Sequence, residues 1–288
     1  MALFKKDKEQ KEKEPAYYVS GTGLQTINYR VYYLGRTEKL LYGALAFVVG
    51  AAVGYLFYGG IGKDAYGNPT TITWVLNILI PLIVGIFAVK FYLPIRTEQL
   101  IEARRKKLNR QFRDMLDGIT TVLGAGSNVP NAFETVYHDL KTQYSSDAFI
   151  IKELEVILAG MQNGEQIEDL LYSFGKRSGI SSIESFAAVF QVSYRKGGNV
   201  REAMSGTHEV ISQKMEIMEE IETTVTAGKF DSTIMTLMPI GLVLIIKLMS
   251  PDFAANFVSG VGLFSTTIAV ICFVVAYFVS KSILNIKI

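Results

Sequence analysis

The sequence is poor in the residues that carry out redox and metal chemistry. It contains one cysteine, Cys272, and two histidines, His138 and His208. A single cysteine excludes an intrachain disulfide, and Cys272 lies within an apolar run, where a small packing residue is expected. Neither histidine stands in a His-Glu-x-x-His or cysteine-rich setting, so the sequence offers no zinc ligand set. We therefore expect no metal and no other cofactor.

Catalytic motifs are also missing. The sequence has no P-loop, no Rossmann glycine fingerprint and no Gly-x-Ser-x-Gly elbow, and the carboxylate pair Glu219-Glu220 falls on the polar face of a predicted helix. The net charge of +2 is nearly balanced, and the basic residues flank apolar runs, so nucleic-acid binding is not indicated. These features predict a protein that is not an enzyme.

Charged residues are scarce, at 19% of the 288 residues, whereas 49% are hydrophobic. This leaves too little polar surface for a soluble domain of this size and indicates contact with lipid. A bilayer core about 30 Å thick needs roughly 20 apolar residues in a helix. Runs near this length occur at residues 40–58, 72–89, 232–249 and 253–280, the third interrupted near its end by Lys247. We predict four transmembrane helices.

The basic residues indicate how these helices are oriented, because lysine and arginine near span ends favour the cytoplasmic side. They are frequent before the first run, after the second and at the C-terminus, but scarce at 59–71 and 250–260. We expect both termini in the cytoplasm and no cleaved signal peptide, since the first apolar run begins near residue 40. The predicted parts are an N-terminal tail at 1–37, spans at 38–94, a cytoplasmic domain at 95–230, spans at 231–281 and a short tail at 282–288.

The residues within the spans indicate helix packing and give little support for transport. Small residues recur at Ala46, Gly50 and Gly54, a spacing that lets helices approach closely. The centres of the spans contain no Asp, Glu or His, although ion and proton pathways usually have one there. Lys247 lies near the end of its span, where its ammonium can reach the interface. A transporter is therefore disfavoured, and it stays an alternative beside a signalling scaffold.

The cytoplasmic domain has the pattern of amphipathic helices. Its first stripe begins at Phe112 and repeats apolar residues at i, i+3, i+4 and i+7. Further stripes follow, and Ser181 with Glu184 fits a capping box at the start of the fifth helix. We predict an all-α membrane protein in which an antiparallel bundle of about six helices, with no strand, is inserted between spans two and three.

Two turns in this domain have similar sequences, because residues 126–133 align with 197–204 as glycine, polar cap and helix start. Glycine can end one helix in a left-handed conformation, and asparagine can cap the next. A duplicated turn module explains the match, and chance or shared turn chemistry is the alternative. A phosphate-binding loop is disfavoured, since neither turn follows a strand or contains Lys-Ser/Thr. The predicted turn positions are Gly126, Asn128, Gly164, Gly197, Gly198 and Asn199.

Charge on the two helices that join the domain to the spans suggests a stalk. A basic segment follows span two and an acidic segment precedes span three, at overlapping distances from the membrane if both helices are continuous. The pairing residues would be Arg104, Lys107, Arg110, Glu216, Glu219 and Glu220. The alternative is that the basic segment is only the positive-inside flank. Cysteines near Lys107 and Met218 should crosslink if the stalk forms.

Several quoted segments resemble a known family. Phe112-Arg113-Asp114-Met115-Leu116, Gly197-Gly198-Asn199-Val200 and Ser250-Pro251-Asp252-Phe253, with the two-span, domain, two-span order, are similar to the type II secretion F domain. The nearest subgroup is that of TadB-like platform proteins of tight-adherence (Flp) pili. The tyrosine-rich segment at 17–33 lies outside the family pattern.

The resemblance implies a platform protein in the cytoplasmic membrane. Its implied partners are a hexameric secretion ATPase, a second F-domain protein (TadC-like) or another copy of itself, and pilin subunits, in addition to the lipid bilayer. The family offers no catalytic residue to carry over. The resemblance therefore predicts a protein of pilus assembly or type II secretion that works through movement driven by its partner.

Overall fold

The computed structural model describes residues 14–62, 68–197 and 199–284. Within these ranges the chain forms two short strands and nine helices. In chain order they are β1 (Tyr17–Val19), β2 (Gln25–Ile27), α1 (Arg36–Tyr58), α2 (Thr71–Gly124), α3 (Val129–Gln143), α4 (Phe149–Gln162), α5 (Ile167–Ser178), α6 (Ser181–Arg195), α7 (Val200–Met249), α8 (Pro251–Phe257) and α9 (Gly260–Leu284). The strands pair antiparallel, with Tyr18 opposite Thr26.

The chain divides into two compact units. The globular unit contains the described residues up to Tyr33 together with Thr97–Gln213, and the membrane unit contains Leu34–Arg96 and the described residues from Lys214 onward. Helices α2 and α7 are each continuous, and each has residues in both units. The continuity of these two helices, on which the stalk hypothesis depends, is therefore present.

Four of the described helices are long and apolar enough to cross a membrane. They are α1, the apolar part of α2, the apolar part of α7, and Gly260–Ser280 of α9. At most 17% of each apolar window is buried in the protein itself, as expected of surfaces that face lipid. The prediction of four apolar helices is confirmed, and the chain is a multi-pass membrane protein.

Small residues bring α1 and α2 together in the membrane unit. A Cβ added to Gly50 would lie 2.6 Å from Ala88 Cβ, and one added to Gly85 would lie 2.6 Å from the Phe47 ring. Neither glycine leaves room for a side chain, so the small-residue spacing in α1 is a packing feature, as predicted. In the same unit, Lys247 donates a hydrogen bond to the carbonyl of Leu56 at 2.6 Å, which gives this lysine an acceptor within the protein.

The core of the globular unit is built on aromatic side chains from three helices. Phe112 of α2 is fully buried, and its ring centroid lies 5.3 Å from that of Phe186 in α6 and 6.1 Å from that of Phe174 in α5. The apolar stripes predicted for the helices therefore point inward, and each aromatic residue buries a large apolar area. These contacts fix α2, α5 and α6 around a common core.

Two local predictions need correction. Helix α6 begins at Ser181 as expected, but its N-cap is Ile180 and no side chain caps it. The predicted capping box is wrong because the Glu184 carboxylate is engaged by Lys176 of α5 in an ion pair. Residues 1–37 were predicted to form a tail, whereas β1 and β2 within this range form a hairpin that belongs to the globular unit.

Candidate functional site

The predicted turn glycines have the backbone conformation that only glycine adopts readily. Gly126, Gly164 and Gly197 have φ angles of 95°, 82° and 67°, and each stands within the two residues that follow a helix or its cap. Gly124, by contrast, is the last residue of α2 and has no positive φ. Gly198, the remaining glycine of the prediction, lies outside the described residues.

Both predicted asparagine caps are formed. The backbone N–H of Asn131 donates to Asn128 Oδ1 at 2.9 Å at the start of α3, and the backbone N–H of Glu202 donates to Asn199 Oδ1 at 3.3 Å at the start of α7. These bonds satisfy N–H groups that the first turn of a helix leaves free. Asn199 also donates from Nδ2 to Glu202 Oε2 at 3.3 Å, so the Asn199 side chain is bonded to both the backbone and the side chain of Glu202.

The two similar turns come together at one end of the globular unit. They line a shallow cavity of about 470 Å³ whose walls are mostly small, apolar or capping residues: Leu123, Ser127, Asn128, Val129, Pro130, Tyr194, Asn199, Val200 and Arg201. Helices α3 and α7 both begin here, so the repeated sequence produces a repeated helix start at a shared surface. This surface offers shape and one guanidinium, that of Arg201, for contact with a partner.

A second cluster of polar side chains, which was not predicted from the sequence, joins the segment after the hairpin to α4 and α5. Arg177 of α5 donates from both terminal nitrogens to the two carboxylate oxygens of Glu153 in α4, at 3.0 and 2.7 Å. The Tyr29 hydroxyl donates to Glu153 Oε1 at 3.0 Å. Tyr29 is fully buried, Glu153 is 2% exposed and Arg177 is 9% exposed. In a buried bidentate pair of this kind, two parallel charge-assisted hydrogen bonds fix the geometry, and each buried charge has an opposite charge beside it.

The hairpin is tied to the same cluster through its backbone. Arg177 Nη1 donates to the carbonyl of Ile27 at 3.1 Å, and the Arg177 carbonyl accepts from the N–H of Tyr29 at 3.0 Å. Arg105 of α2 donates from Nε to the Tyr29 carbonyl at 3.2 Å. Burial and the neighbouring Glu153 carboxylate raise the pKa of the Tyr29 hydroxyl well above its ordinary value, so it stays a hydrogen-bond donor.

No family model, curated protein or solved structure matches this chain. The resemblance to F-domain proteins therefore rests on the quoted residues alone.

The predicted stalk residues fall on α2 and α7. Arg104 of α2 lies over the Tyr32 ring, with its guanidinium carbon 4.6 Å from the ring centroid, and the Lys107 ammonium lies 5.8 Å from the centroid of Phe149. These cations thus have aromatic neighbours within the globular unit. Glu216, Glu219 and Glu220 belong to the membrane unit, and their pairing with the basic residues stays a prediction.

The histidines lie apart from any metal-binding geometry in the part of the chain that the structure describes. His208 Nε2 stands 3.7 Å from Asp117 Oδ1 and 3.3 Å from the hydroxyl of Ser212. No group of three or more His, Cys, Asp or Glu residues among the described residues is arranged to hold a metal ion. The candidate site is therefore a set of packing and docking features around the turn cavity and the hairpin.

The sequence does contain a signal for the missed cluster. Glu153 stands three residues after Ile150 on the apolar stripe of α4, and Arg177 stands three residues after Phe174 on the stripe of α5. Charged residues are rarely buried unless they are paired. Two opposite charges, each alone on an apolar stripe, therefore indicate a buried ion pair. The position of Tyr29 has no comparable signal, since its partners are far along the chain.

Proposed function

We propose that this protein is a platform of a tight-adherence (Flp) or related type II secretion machine, which couples a cytoplasmic secretion ATPase to the assembly of pilin subunits. The globular unit faces the cytoplasm in this proposal, and both termini lie on that side. The protein supplies no chemistry of its own, and the energy comes from the ATPase. The lysine and arginine distribution and the resemblance to F-domain proteins support this placement.

One observation carries the proposal: α2 and α7 each combine an apolar span and a polar segment in a single uninterrupted helix. At a rise of about 1.5 Å per residue, the 54 residues of α2 measure about 80 Å, far more than a bilayer core of about 30 Å requires. Both helices contain proline, Pro81 and Pro94 in α2 and Pro239 in α7, and each stays helical through these positions. Displacement of the polar part of each helix is therefore passed to its apolar part. An ATPase that moves the globular unit can therefore move the spans that contact pilin.

The turn cavity is the surface of the globular unit that best suits a protein partner in this scheme. It lies where α7 begins, so a partner bound there would act at the start of one of the two continuous helices. The second F-domain protein, or another copy of this chain, would form the rest of the platform together with this protein. Pilin would meet the apolar helices.

The proposal is tested first by deleting the gene. Pili should be lost while pilin precursors are still processed, and normal piliation in the deletion strain would refute the proposal.

The role of helix continuity is tested by Glu98→Pro, which adds a proline four residues after the native Pro94 and so removes a further backbone hydrogen bond from α2 just beyond its apolar part. Its matched control is Ser146→Pro, which places proline in the turn between α3 and α4. Glu98→Pro should stop pilin assembly while the protein still reaches the membrane, whereas Ser146→Pro should assemble pili normally. Equal assembly by the two variants would contradict the mechanical role of α2.

A further inference from the structure

In the segment from Glu14 to Tyr33 the side chains of β1 are exposed, whereas Thr26, Asn28 and Tyr29 are buried. Tyr17 and Val19 of β1 are 59% and 75% exposed, and Leu24 of the turn is 42% exposed. Tyr29 is the one large apolar side chain of this segment that is fully buried among the described residues. The hydrophobic contribution to its attachment is therefore concentrated in one ring, which stands edge-on to Phe149 with a centroid distance of 5.6 Å.

Tyr29 is bonded to three different helices. Its hydroxyl is held by Glu153 of α4, its N–H by the carbonyl of Arg177 in α5, and its carbonyl by Arg105 of α2. Each of its polar groups thus has a partner that is distant in sequence. Such a residue fixes the segment in position as well as in orientation, because no rotation about one bond preserves all three contacts.

The helices do not need the segment in order to satisfy their buried charges. Arg177 and Glu153 make two hydrogen bonds to each other, so the ion pair between α4 and α5 stays complete if the Tyr29 hydroxyl leaves. An uncompensated buried charge would otherwise destabilise both helices. The segment therefore packs on a surface of α4 and α5 whose buried ion pair is complete without it. Loss of the segment should leave the fold of these two helices unchanged.

The segment also continues directly into the first apolar helix. Tyr33 is the last residue assigned to the globular unit here, and α1 begins at Arg36. Two residues, Leu34 and Gly35, separate them. A linker this short cannot absorb a displacement of more than several ångströms. A displacement of the helices that hold Tyr29 by more than this distance must therefore reach α1.

We propose that Glu14–Tyr33 is a coupling strap, which ties α1 to helices α2, α4 and α5 through Tyr29 and so adds a third mechanical connection to the two supplied by α2 and α7. This inference rests on the proposed function, since it assigns the strap a part in the same movement. It predicts that α1 is driven through the strap and not only through its packing on α2.

The first experiment compares Tyr29→Ala with Tyr17→Ala in the full-length protein in its native membrane. Both changes remove a tyrosine from the strap, but Tyr17 is exposed and Tyr29 is the anchor. Hydrogen exchange at residues 25–33 should accelerate by about tenfold or more in Tyr29→Ala, with exchange in α4 and α5 unchanged. Pilin assembly should fall by about the same factor. Tyr17→Ala should alter neither measurement.

The second experiment restores the tie by covalent means. A Cβ at Gly21 would lie 2.7 Å from Glu165 Oε1, so cysteines at these two positions are close enough to be joined by a short bifunctional maleimide once the Glu165 side chain is removed. The variant carries Gly21→Cys, Glu165→Cys and Cys272→Ala on the Tyr29→Ala background. Crosslinking should recover slow exchange in the strap and recover pilin assembly.

Each outcome has a defined meaning. Normal assembly in Tyr29→Ala with a released strap would overturn the coupling role while leaving the platform proposal intact. An unchanged exchange rate in Tyr29→Ala would overturn the assignment of Tyr29 as the anchor. Lost assembly that the crosslink does not recover would show that the strap acts in some other way. Piliation that survives deletion of the whole gene would instead refute the platform function, whatever the strap does.

Discussion

The hydroxyl of Tyr29 donates a hydrogen bond to Glu153 Oε1 at 3.0 Å, across 124 residues of sequence. This bond joins the N-terminal hairpin to the buried ion pair between α4 and α5. The Glu153 carboxylate accepts three hydrogen bonds in total, two from Arg177 and one from Tyr29. The hairpin is thus part of the globular unit and not an unattached tail.

The buried pair should be far more sensitive to substitution than an exposed one. Glu153→Gln leaves the Arg177 guanidinium buried without a counter-charge and should cost about 3–5 kcal/mol in the unfolding of the globular unit. The matched control is Glu184→Gln, which breaks the solvent-screened pair with Lys176 and should destabilise the globular unit far less. Hydrogen exchange in α4 and α5 measures the difference. Equal effects of the two substitutions would show that the buried pair has no special role.

The glycine turns provide a second comparison. Gly126→Ala and Gly197→Ala place a Cβ on a residue with positive φ, which should cost about 1–2 kcal/mol although no atom lies within 4 Å of either Cβ position. Gly124→Ala also adds a Cβ in open space, but its backbone is helical, so it should be neutral or stabilising by up to about 1 kcal/mol. Thermal unfolding of the purified protein checks the order. A loss of stability in Gly124→Ala equal to that in Gly126→Ala would contradict this reading.

Sequence predicted the helices of the globular unit well because their signals are local. A glycine such as Gly164 ends a helix through its own backbone freedom, and an asparagine such as Asn128 caps the helix that follows it by accepting from the N–H three residues on. The hairpin lacked such a signal, since strands of three residues are too short to show a period. The capping box at Ser181 failed for a related reason: its Glu184 is taken by a lysine from another helix, and sequence does not show that competition.

The asparagine caps should contribute measurably to the stability of the helices that they start. Asn128→Ala removes the acceptor for the N–H of Asn131 and should destabilise α3 by about 0.5–2 kcal/mol. Asn128→Asp keeps an oxygen acceptor and adds a negative charge at a helix N-terminus, so it should be neutral or slightly stabilising. Exchange rates of the first amides of α3 test the pair of variants. An aspartate variant as unstable as the alanine variant would argue against the cap.

The proposed orientation can be tested with single cysteines on the Cys272→Ala background. A membrane-impermeant maleimide should label Asn68→Cys and Ser259→Cys from outside the cell, since both lie in segments between paired spans. Ala125→Cys, in the turn after α2, should react only after the membrane is permeabilised. The opposite labelling pattern would place the globular unit outside and would be incompatible with an ATPase partner.

A tyrosine in the globular unit should make stability depend on alkaline pH. Burial, followed by the hydrogen bond from its hydroxyl to Asp114, raises the pKa of Tyr144 from 10.0 to about 12. Because the folded state holds this proton more tightly than the unfolded state, the contribution is complete below pH 10 and is lost as the pH rises through about 12. Tyr144→Phe should therefore be less stable than the wild type at neutral pH and should lose less stability between pH 10 and 12. Parallel stability curves for the two proteins over that range would contradict the assignment.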